Sequence, residues 1–360
     1  MSVLKTVGKV VGILLAAVLL AIAGLLAWLS IREYRPAARE ALTVDGNAAG
    51  TRTLAPGDSL TLVSWNIGYA ALDAEQDFFM DGGQMSNTSS KERVPQTVAG
   101  IADVLAQQEA DVLFLQEVDR NSARSYSYNE YAALTEQLCP ANSAFANNYK
   151  CDYVPYPVPG MIGRVDSGLA TLNSLPVSEA VRQALPVPFS WPVRLANLKR
   201  CLLIDRVPLA GTDRELVLIN LHLEAYDDGE GKAAQTALLL EILQNEYAAG
   251  NYVIAGGDFN QSFPDANAEA YAVKDPSLWA PGMLELDELP AGWGIVFDDT
   301  TPSCRLLNQP YDPDDEATQH YLIDGFLVSP NVRPEVVTTL DEGFVYSDHN
   351  PVRLQVTLEE

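Results

Sequence analysis

Positive charge is scarce in this 360-residue chain: 23 lysines and arginines stand against 48 acidic residues, for a formal net charge of -25. A protein that grips nucleic acid by its backbone needs clustered Lys and Arg, because phosphate contacts dominate affinity. No such cluster is present, so nucleic acid is not the favoured partner, although an acidic body can still hold a small basic cleft. Cysteine is also sparse: Cys139, Cys151, Cys201 and Cys304, with no CxxC, which argues against a zinc site. Cys139 and Cys151 flank the mostly polar stretch PANSAFANNYK. Outside a cell that stretch would support a local disulfide; free thiols are the alternative, and the sequence leaves both open. Cys201, in the apolar run RCLLIDRV, reads as a small core residue. Low-complexity tracts and fixed-period repeats are lacking, which excludes solenoid and repeat-array architectures.

One long apolar run is present. Val10 to Ile31 reads VVGILLAAVLLAIAGLLAWLSI, 22 residues without a charge. A membrane-spanning helix needs about 20. A signal peptide would carry a shorter apolar core and a small-residue cleavage site. Trp28, Arg32, Glu33, Tyr34 and Arg35 close the run as an interface would. The expected layout is a flanking segment 1–9, a transmembrane anchor 10–31, a linker 32–58 and one catalytic domain 59–360. Basic residues lie on both sides of the helix, so charge gives no clear orientation. The acidic body leans towards an extracytoplasmic location at the cell membrane, as a monomer.

The body alternates apolar strand-like runs with two amphipathic stretches. Val94, Val98, Ile101, Val104 and Leu105 carry helical spacing, and KAAQTALLLEILQNEYAA, stopped by Gly250, is a second helix. Residues 70–91, 120–165 and 263–320 read as excursions, the second rich in tyrosine, either a packed loop or a lipid-facing lid. Strands outnumber helices and many are apolar on both faces. These features predict an α/β fold, a four-layer sandwich of two mixed sheets packed face to face with helices outside.

One pattern recurs along the strands: an apolar run delivers a polar residue at its end. VSWN gives Asn66, VLFLQE gives Glu117, LINLH gives His222, VIAGGDFN gives Asp258 and Asn260, YLID gives Asp324, and YSDH gives Asp348 and His349. Crowded carboxylates repel unless a cation compensates them, and oxygen ligands suit Mg²⁺, Mn²⁺ or Ca²⁺. Two of the three histidines, His222 and His349 but not His320, fall at these ends, where either could move a proton near neutral pH.

The order WN, QE, H, GDFN, ID, SDH resembles the endonuclease/exonuclease/phosphatase superfamily, the fold of pancreatic deoxyribonuclease, exonuclease III, neutral sphingomyelinases and inositol-polyphosphate phosphatases. The resemblance runs from about Leu60 to Val356. It implies that Glu117 is the metal ligand, with Asn66 beside it and Asp348 as a second metal-side carboxylate. It implies that Asp258 and Asn260 orient the attacking water and touch phosphate. It implies that His349 contacts the scissile phosphate with Asp324 as its orienting partner, and that His222 matches the histidine of the deoxyribonuclease and sphingomyelinase branch. Two departures stand out. Gly325 follows Asp324 where the family commonly has Tyr or His, and Asp166 or Ser167 lies where an orienting Glu for His222 is expected. Glu224 and Asp227 read as a solvated loop, and Lys199 and Arg200 as either an exposed strand start or contacts to an anionic substrate. The implied activity is metal-dependent hydrolysis of a phosphodiester or phosphomonoester, a phospholipid, a sphingomyelin-like lipid or a small phosphorylated compound. A membrane-anchored nuclease of the deoxyribonuclease type is the alternative, and a non-catalytic binding module the third reading.

Overall fold

Apolar runs of the body pair into two mixed sheets of seven strands each in the computed structural model, which describes residues 2–46, 51–88, 90–227 and 229–360. The first sheet has the spatial order β1 (Arg39–Ala41), β7 (Glu179–Ala184), β8 (Cys201–Pro208), β9 (Glu215–His222), β10 (Tyr252–Asp258), β16 (Asp324–Val328) and β13 (Gly294–Val296). The second runs β17 (Val332–Thr339), β18 (Val352–Leu358), β3 (Ser59–Asn66), β4 (Val112–Asp119), β6 (Gly163–Asn173), β5 (Asn142–Val154) and β2 (Asp45–Gly46). Two short pairs stand apart, β11 (Gln261–Ser262) with β12 (Gly282–Met283) and β14 (Cys304–Arg305) with β15 (His320–Tyr321). The parallel pairs, β3 with β4 and β9 with β10, lie at the centre of each sheet.

Successive side chains of a strand point to opposite faces, and that period sorts the core. Leu60, Leu62, Leu216, Leu218, Tyr252, Ile254, Phe326 and Val328 meet between the sheets. Their neighbours Val63, Trp65, Leu113 and Leu115 pack outward on Val94, Val98, Ile101 and Leu105 of α2 (Arg93–Ala106) and Leu134 of α3 (Glu130–Leu138). Val217, Ile219, Leu221 and Val253 pack outward on Leu239, Leu240 and Leu243 of α4 (Glu230–Ala248). The result is the four-layer sandwich. Each such fully buried aliphatic side chain contributes roughly 1.5–3 kcal/mol.

The amino-terminal helix α1 (Ser2–Arg32) is long and apolar enough to cross a membrane, with a mean hydropathy of 2.9 over an 18-residue stretch. Most of it is exposed, but Leu29 is buried and Leu25 and Leu26 are half-buried against the body. The segment expected as a linker is not free chain. Arg39–Ala41 pairs with β7, Asp45–Gly46 pairs with β5, and Leu54 is fully buried in the core between the sheets. The disulfide left open by the sequence is absent: both thiols are free, with Cys139 exposed at the end of α3 and Cys151 buried in β5. The tyrosine-rich excursion is α3 followed by the long β5–β6 hairpin.

Candidate active site

The inward stripe that builds the core ends in polar residues. Leu60, Leu62, Ser64 and Asn66 share one face of β3; Leu216, Leu218, Asn220 and His222 share one face of β9; Tyr252, Ile254, Gly256 and Asp258 share one face of β10. Register brings their ends together, since Asp258 lies directly opposite His222 on one side and Asp324 on the other. A buried polar tier supports them: Gln116 donates to Asn220 Oδ1 at 2.7 Å, and Asn220 donates to the carbonyls of Leu115 and Ala170.

Strict alternation would aim Glu117 away from this face, because Gln116 points inward. The backbone corrects it. The pairing of β4 with β6 shifts register between Leu115 and Val118, and Glu117 takes φ 56°, the left-handed region that costs a non-glycine residue about 1 kcal/mol or more. That bulge puts Glu117 on the cavity wall. Three residues depart from the expected strand ends. Asp324 opens the antiparallel β16, and Asp348 and His349 lie in the turn before β18. The turn is pinned to β3: Ser347 Oγ donates to Asn66 O at 2.7 Å and Trp65 Nε1 donates to His349 O at 2.8 Å. Gly68 has φ +52°, and a Cβ there would lie 3.0 Å from Asp348 Oδ1, so glycine lets the β3 exit approach this carboxylate.

All eight sequence-selected residues converge. Asn66, Glu117, His222, Asp258, Asn260, Asp348 and His349 line one cavity of about 570 Å³, and Asp324 sits behind His349. Asp324 Oδ2 lies 2.8 Å from His349 Nδ1 and accepts from Ser303 Oγ at 2.8 Å. Asp258 Oδ2 accepts from Asn66 Nδ2 at 3.0 Å and lies 3.4 Å from His222 Nε2, while Asp258 Oδ1 accepts from the Asn260 amide at 2.8 Å. Burial pushes the Asp258 carboxyl up to about 7. Burial works against charge on His349, yet its acidic neighbours, Asp324 foremost, hold the imidazole well above its ordinary value. Burial, with Arg200 and His349 nearby, holds His222 well below its own, so it stays neutral.

Burial also raises Glu117 and Asp348, and Asp348 adds repulsion at Glu117. Among the described residues no side-chain hydrogen bond reaches the Glu117 carboxylate. Two tight clusters, Cys304–Asp348–His349 and Asp258–Asp324–His349, each hold their donor atoms within 4.8 Å. Asp258, Asp324 and His349 form a hydrogen-bond network with Asn66, Asn260 and Ser303, in which Asp324 Oδ1 has no partner among the described residues. Asp348 accepts only from Ser347 Oγ, at 3.3 Å, so among the described residues Glu117 and Asp348 keep carboxylate oxygens open to a ligand, and an oxygen donor set of this kind fits a hard divalent cation.

His222 lacks the orienting partner its position suggested. Ser167 Oγ is engaged by Arg124 and the Val118 carbonyl, and Asp166 by Asn147 and Lys150. Among the described residues nothing bonds His222 Nδ1. Glu224 is not solvated either: it is buried and paired with Arg200 at 3.2 Å, and Arg200 also donates to the His222 carbonyl at 3.1 Å. Asp227 accepts from the amides of Gly231 and Lys232 at the start of α4. Arg200 lines the cavity, so it is positioned to meet an anion. Lys199 is turned instead towards Glu33 at 3.4 Å. Sequence reasoning passed over Arg124, Asn148 and Asp81, which also line the cavity. Burial pushes Asp81 up to about 7, and Tyr226 Oη donates to it at 2.9 Å. None of the three has a local sequence signal, since the long excursions carry them in.

The model of the endonuclease/exonuclease/phosphatase family matches residues 63–349. Solved structures agree on the fold. An endonuclease/exonuclease/phosphatase from Beutenbergia cavernae is 17% identical with a TM-score of 0.59, covering 84% of this chain and 72% of that one. A family protein from Bacteroides thetaiotaomicron is 16% identical with a TM-score of 0.52, covering 84% and 99%. Truncated TDP2 from Caenorhabditis elegans is 15% identical with a TM-score of 0.50, also covering 84% and 99%. A comparison with curated proteins finds no match. A fold built from two stacked mixed sheets, and a family pattern that spans both of them from Val63 to His349, leave one assignment: this chain belongs to the endonuclease/exonuclease/phosphatase family.

Proposed function

We propose that the chain is a divalent-metal-dependent phosphoric ester hydrolase acting on a phosphodiester or phosphomonoester, with a phospholipid, sphingomyelin-like or small phosphorylated substrate. The observation that carries this reading is the convergence, on one cavity wall, of half-buried Glu117 and buried Asp348 beside His349, with its Asp324 partner, and Asp258. Glu117 and Asp348, with Asn66 beside them, would hold Mg²⁺ (or Mn²⁺ or Ca²⁺), whose charge would offset that of the phosphate and its transition state.

The remaining steps belong to the chain's own groups. Asp258, raised to about 7, takes the proton of the attacking water, and the Asn260 amide fixes the carboxylate for that task. His349, oriented through Nδ1 by Asp324, offers Nε2–H to a phosphoryl oxygen. Neutral His222 lies beside Asp258, and Arg200 supplies fixed positive charge at the cavity wall. As the water oxygen bonds to phosphorus, the opposite ester P–O bond breaks and the leaving oxygen takes up a proton from solvent water.

The contacts of α1 support an anchor that stays attached. Leu29 is 3% exposed, Arg32 pairs with Asp152 at 2.6 Å, and Glu33 pairs with Arg194 at 3.2 Å, so the helix end is part of the body's packing.

Full-length protein in detergent, given Mg²⁺ and a panel of phosphatidylcholine, sphingomyelin, inositol phosphates, nucleotides, DNA and RNA, tests the reading. The expected result is turnover of a lipid or small ester that stops with chelator and falls at least 100-fold in His349→Ala and Asp258→Ala. Turnover of nucleic acid alone would replace this reading with the nuclease. Turnover indifferent to both substitutions would remove the site assignment.

A further inference from the structure

The cavity that holds the acidic floor does not end at it. Its far wall is apolar and includes Leu26 and Leu29 of α1, with Phe79, Tyr156, Ile162 and Leu195 of the body. Two separate parts of the chain, α1 and the candidate active site, thus share one space. A tether that only held the body near a membrane would need no contact with the site.

The docking of α1 fixes where this wall lies. Leu29 packs among Tyr149, Val154, Ile162 and Leu195, and Trp191 Nε1 donates to Ser30 Oγ at 3.1 Å. At 1.5 Å per residue the 31 residues of α1 extend about 46 Å, against a hydrocarbon core of about 30 Å. Counted from Val10, the first residue past Lys9, a core of about 20 residues ends near Leu29, so the surplus is shared between the two helix ends and Leu29 to Arg32 stand at headgroup level. Exposed apolar side chains surround the same end: Trp191 is 53% exposed, Val193 57%, Tyr156 60% and Val158 76%. Val193 and Tyr156 also line the cavity, which places its mouth among them. A belt of Trp, Tyr and aliphatic residues beside a membrane helix is what an interface accommodates.

Resting on the hydrolase reading above, we infer that the substrate is a phosphate-ester lipid of the same bilayer that α1 crosses. One acyl chain lies along the Leu26–Leu29 wall and the phosphate reaches Glu117, Asp348 and His349. The mouth faces the bilayer, so lipid enters sideways from the enzyme's own membrane without crossing water. The volume suits one chain. The cavity of about 570 Å³ also includes the acidic floor that takes the phosphate, so the apolar part has room for one chain and a second stays outside.

Photolabelling tests this independently of turnover. Full-length protein in phosphatidylcholine proteoliposomes is irradiated with a phosphatidylcholine probe carrying a diazirine midway along one acyl chain, and the labelled residues are mapped. The expected labels are cavity residues of the body, Ile162, Leu195 and Phe79, beyond the lipid-exposed face of α1, and Leu26→Trp should reduce the body labels at least fivefold. Labels confined to α1 and the exposed rim would overturn the inference. A second arm compares long-chain phosphatidylcholine or sphingomyelin with the soluble diester bis(p-nitrophenyl) phosphate. Leu26→Trp should lower long-chain turnover at least tenfold more than diester turnover; equal losses would count against the wall. Loss of the hydrolase reading has a different signature, namely no chelator-sensitive turnover of the diester by the unsubstituted protein, whatever the labelling pattern.

Discussion

Asp205 gives the sharpest physical test of the fold. It lies on the face of β8 shared by Cys201 and Leu203, between the sheets, and is 1% exposed. Its one side-chain partner is Asn173 Nδ2 at 3.3 Å, and Oδ1 has none among the described residues. Burial alone pushes its carboxyl from 3.8 to about 8. Between those values the folded protein holds a proton that the unfolded chain has released. Stability is therefore undiminished below the unfolded value, falls as pH rises from about 4 to about 8, and levels off above. At 1.36 kcal/mol per unit, the cost at pH 7 is about 4 kcal/mol, a large share of a typical 5–15 kcal/mol total. Asp205→Asn keeps the shape and a neutral group, so the cost disappears. Urea unfolding of the full chain in detergent micelles, followed by tryptophan fluorescence between about pH 5 and pH 8, should show the variant more stable by about 2–4 kcal/mol at pH 7. The gain should shrink towards pH 5. Parallel stability profiles, or a variant less stable at pH 7, would falsify the assignment of Asp205 as a neutral buried acid.

Three further outcomes follow from the site. Asp324→Asn removes the counter-charge that orients His349 while Ser303 can still donate to the new amide oxygen, so kcat should fall about 10²–10⁴-fold with KM changed little, in steady-state assays on the best panel substrate. Glu117→Gln should weaken the Mg²⁺ dependence, raising the half-saturating Mg²⁺ concentration at least tenfold, and an unchanged Mg²⁺ titration would exclude Glu117 as a ligand. Gly257→Ala places a Cβ 2.0 Å from the Leu221 carbonyl at φ +150°, so β9 and β10 must separate; thermal unfolding should show a loss of about 3 kcal/mol or more.

Parts of this molecule were legible because one periodicity serves two purposes. The same alternation that buries Leu62, Leu218 and Ile254 carries Asn66, His222 and Asp258 to the same edge, so reading strands as apolar runs with polar ends located most of the site. Glu117 was found from its LQE context although its geometry was not readable, because a left-handed bulge has no signature in the residue itself. Glu224 looked like loop because two residues beyond a strand end usually meet water. Its pairing with Arg200 depends on β8 lying beside β9, a contact between positions 24 apart in the chain. The linker was misread for a similar reason: short edge strands such as Arg39–Ala41 carry little apolar pattern and owe their pairing to the neighbours they find.

The docked end of α1 was hidden by a deeper ambiguity. A helix that packs on a protein in water shows an apolar stripe against a polar face. A helix that sits in lipid is apolar all round, so a protein-facing leucine and a lipid-facing leucine look alike. Leu25, Leu26 and Leu29 read as part of an unbroken apolar run, and only the structure separates them from Leu19 and Leu20, which are 66% and 74% exposed. The discriminating residues are the polar ones just past the run. Arg32 and Glu33 could have served only as an interfacial flank, yet they bond to Asp152, Arg194 and Lys199 of the body. A flexible tether has no use for that geometry. A helix clamped at its end by these ion pairs, and by Ser30 with Trp191, fixes Leu26 and Leu29 in the cavity wall relative to the body.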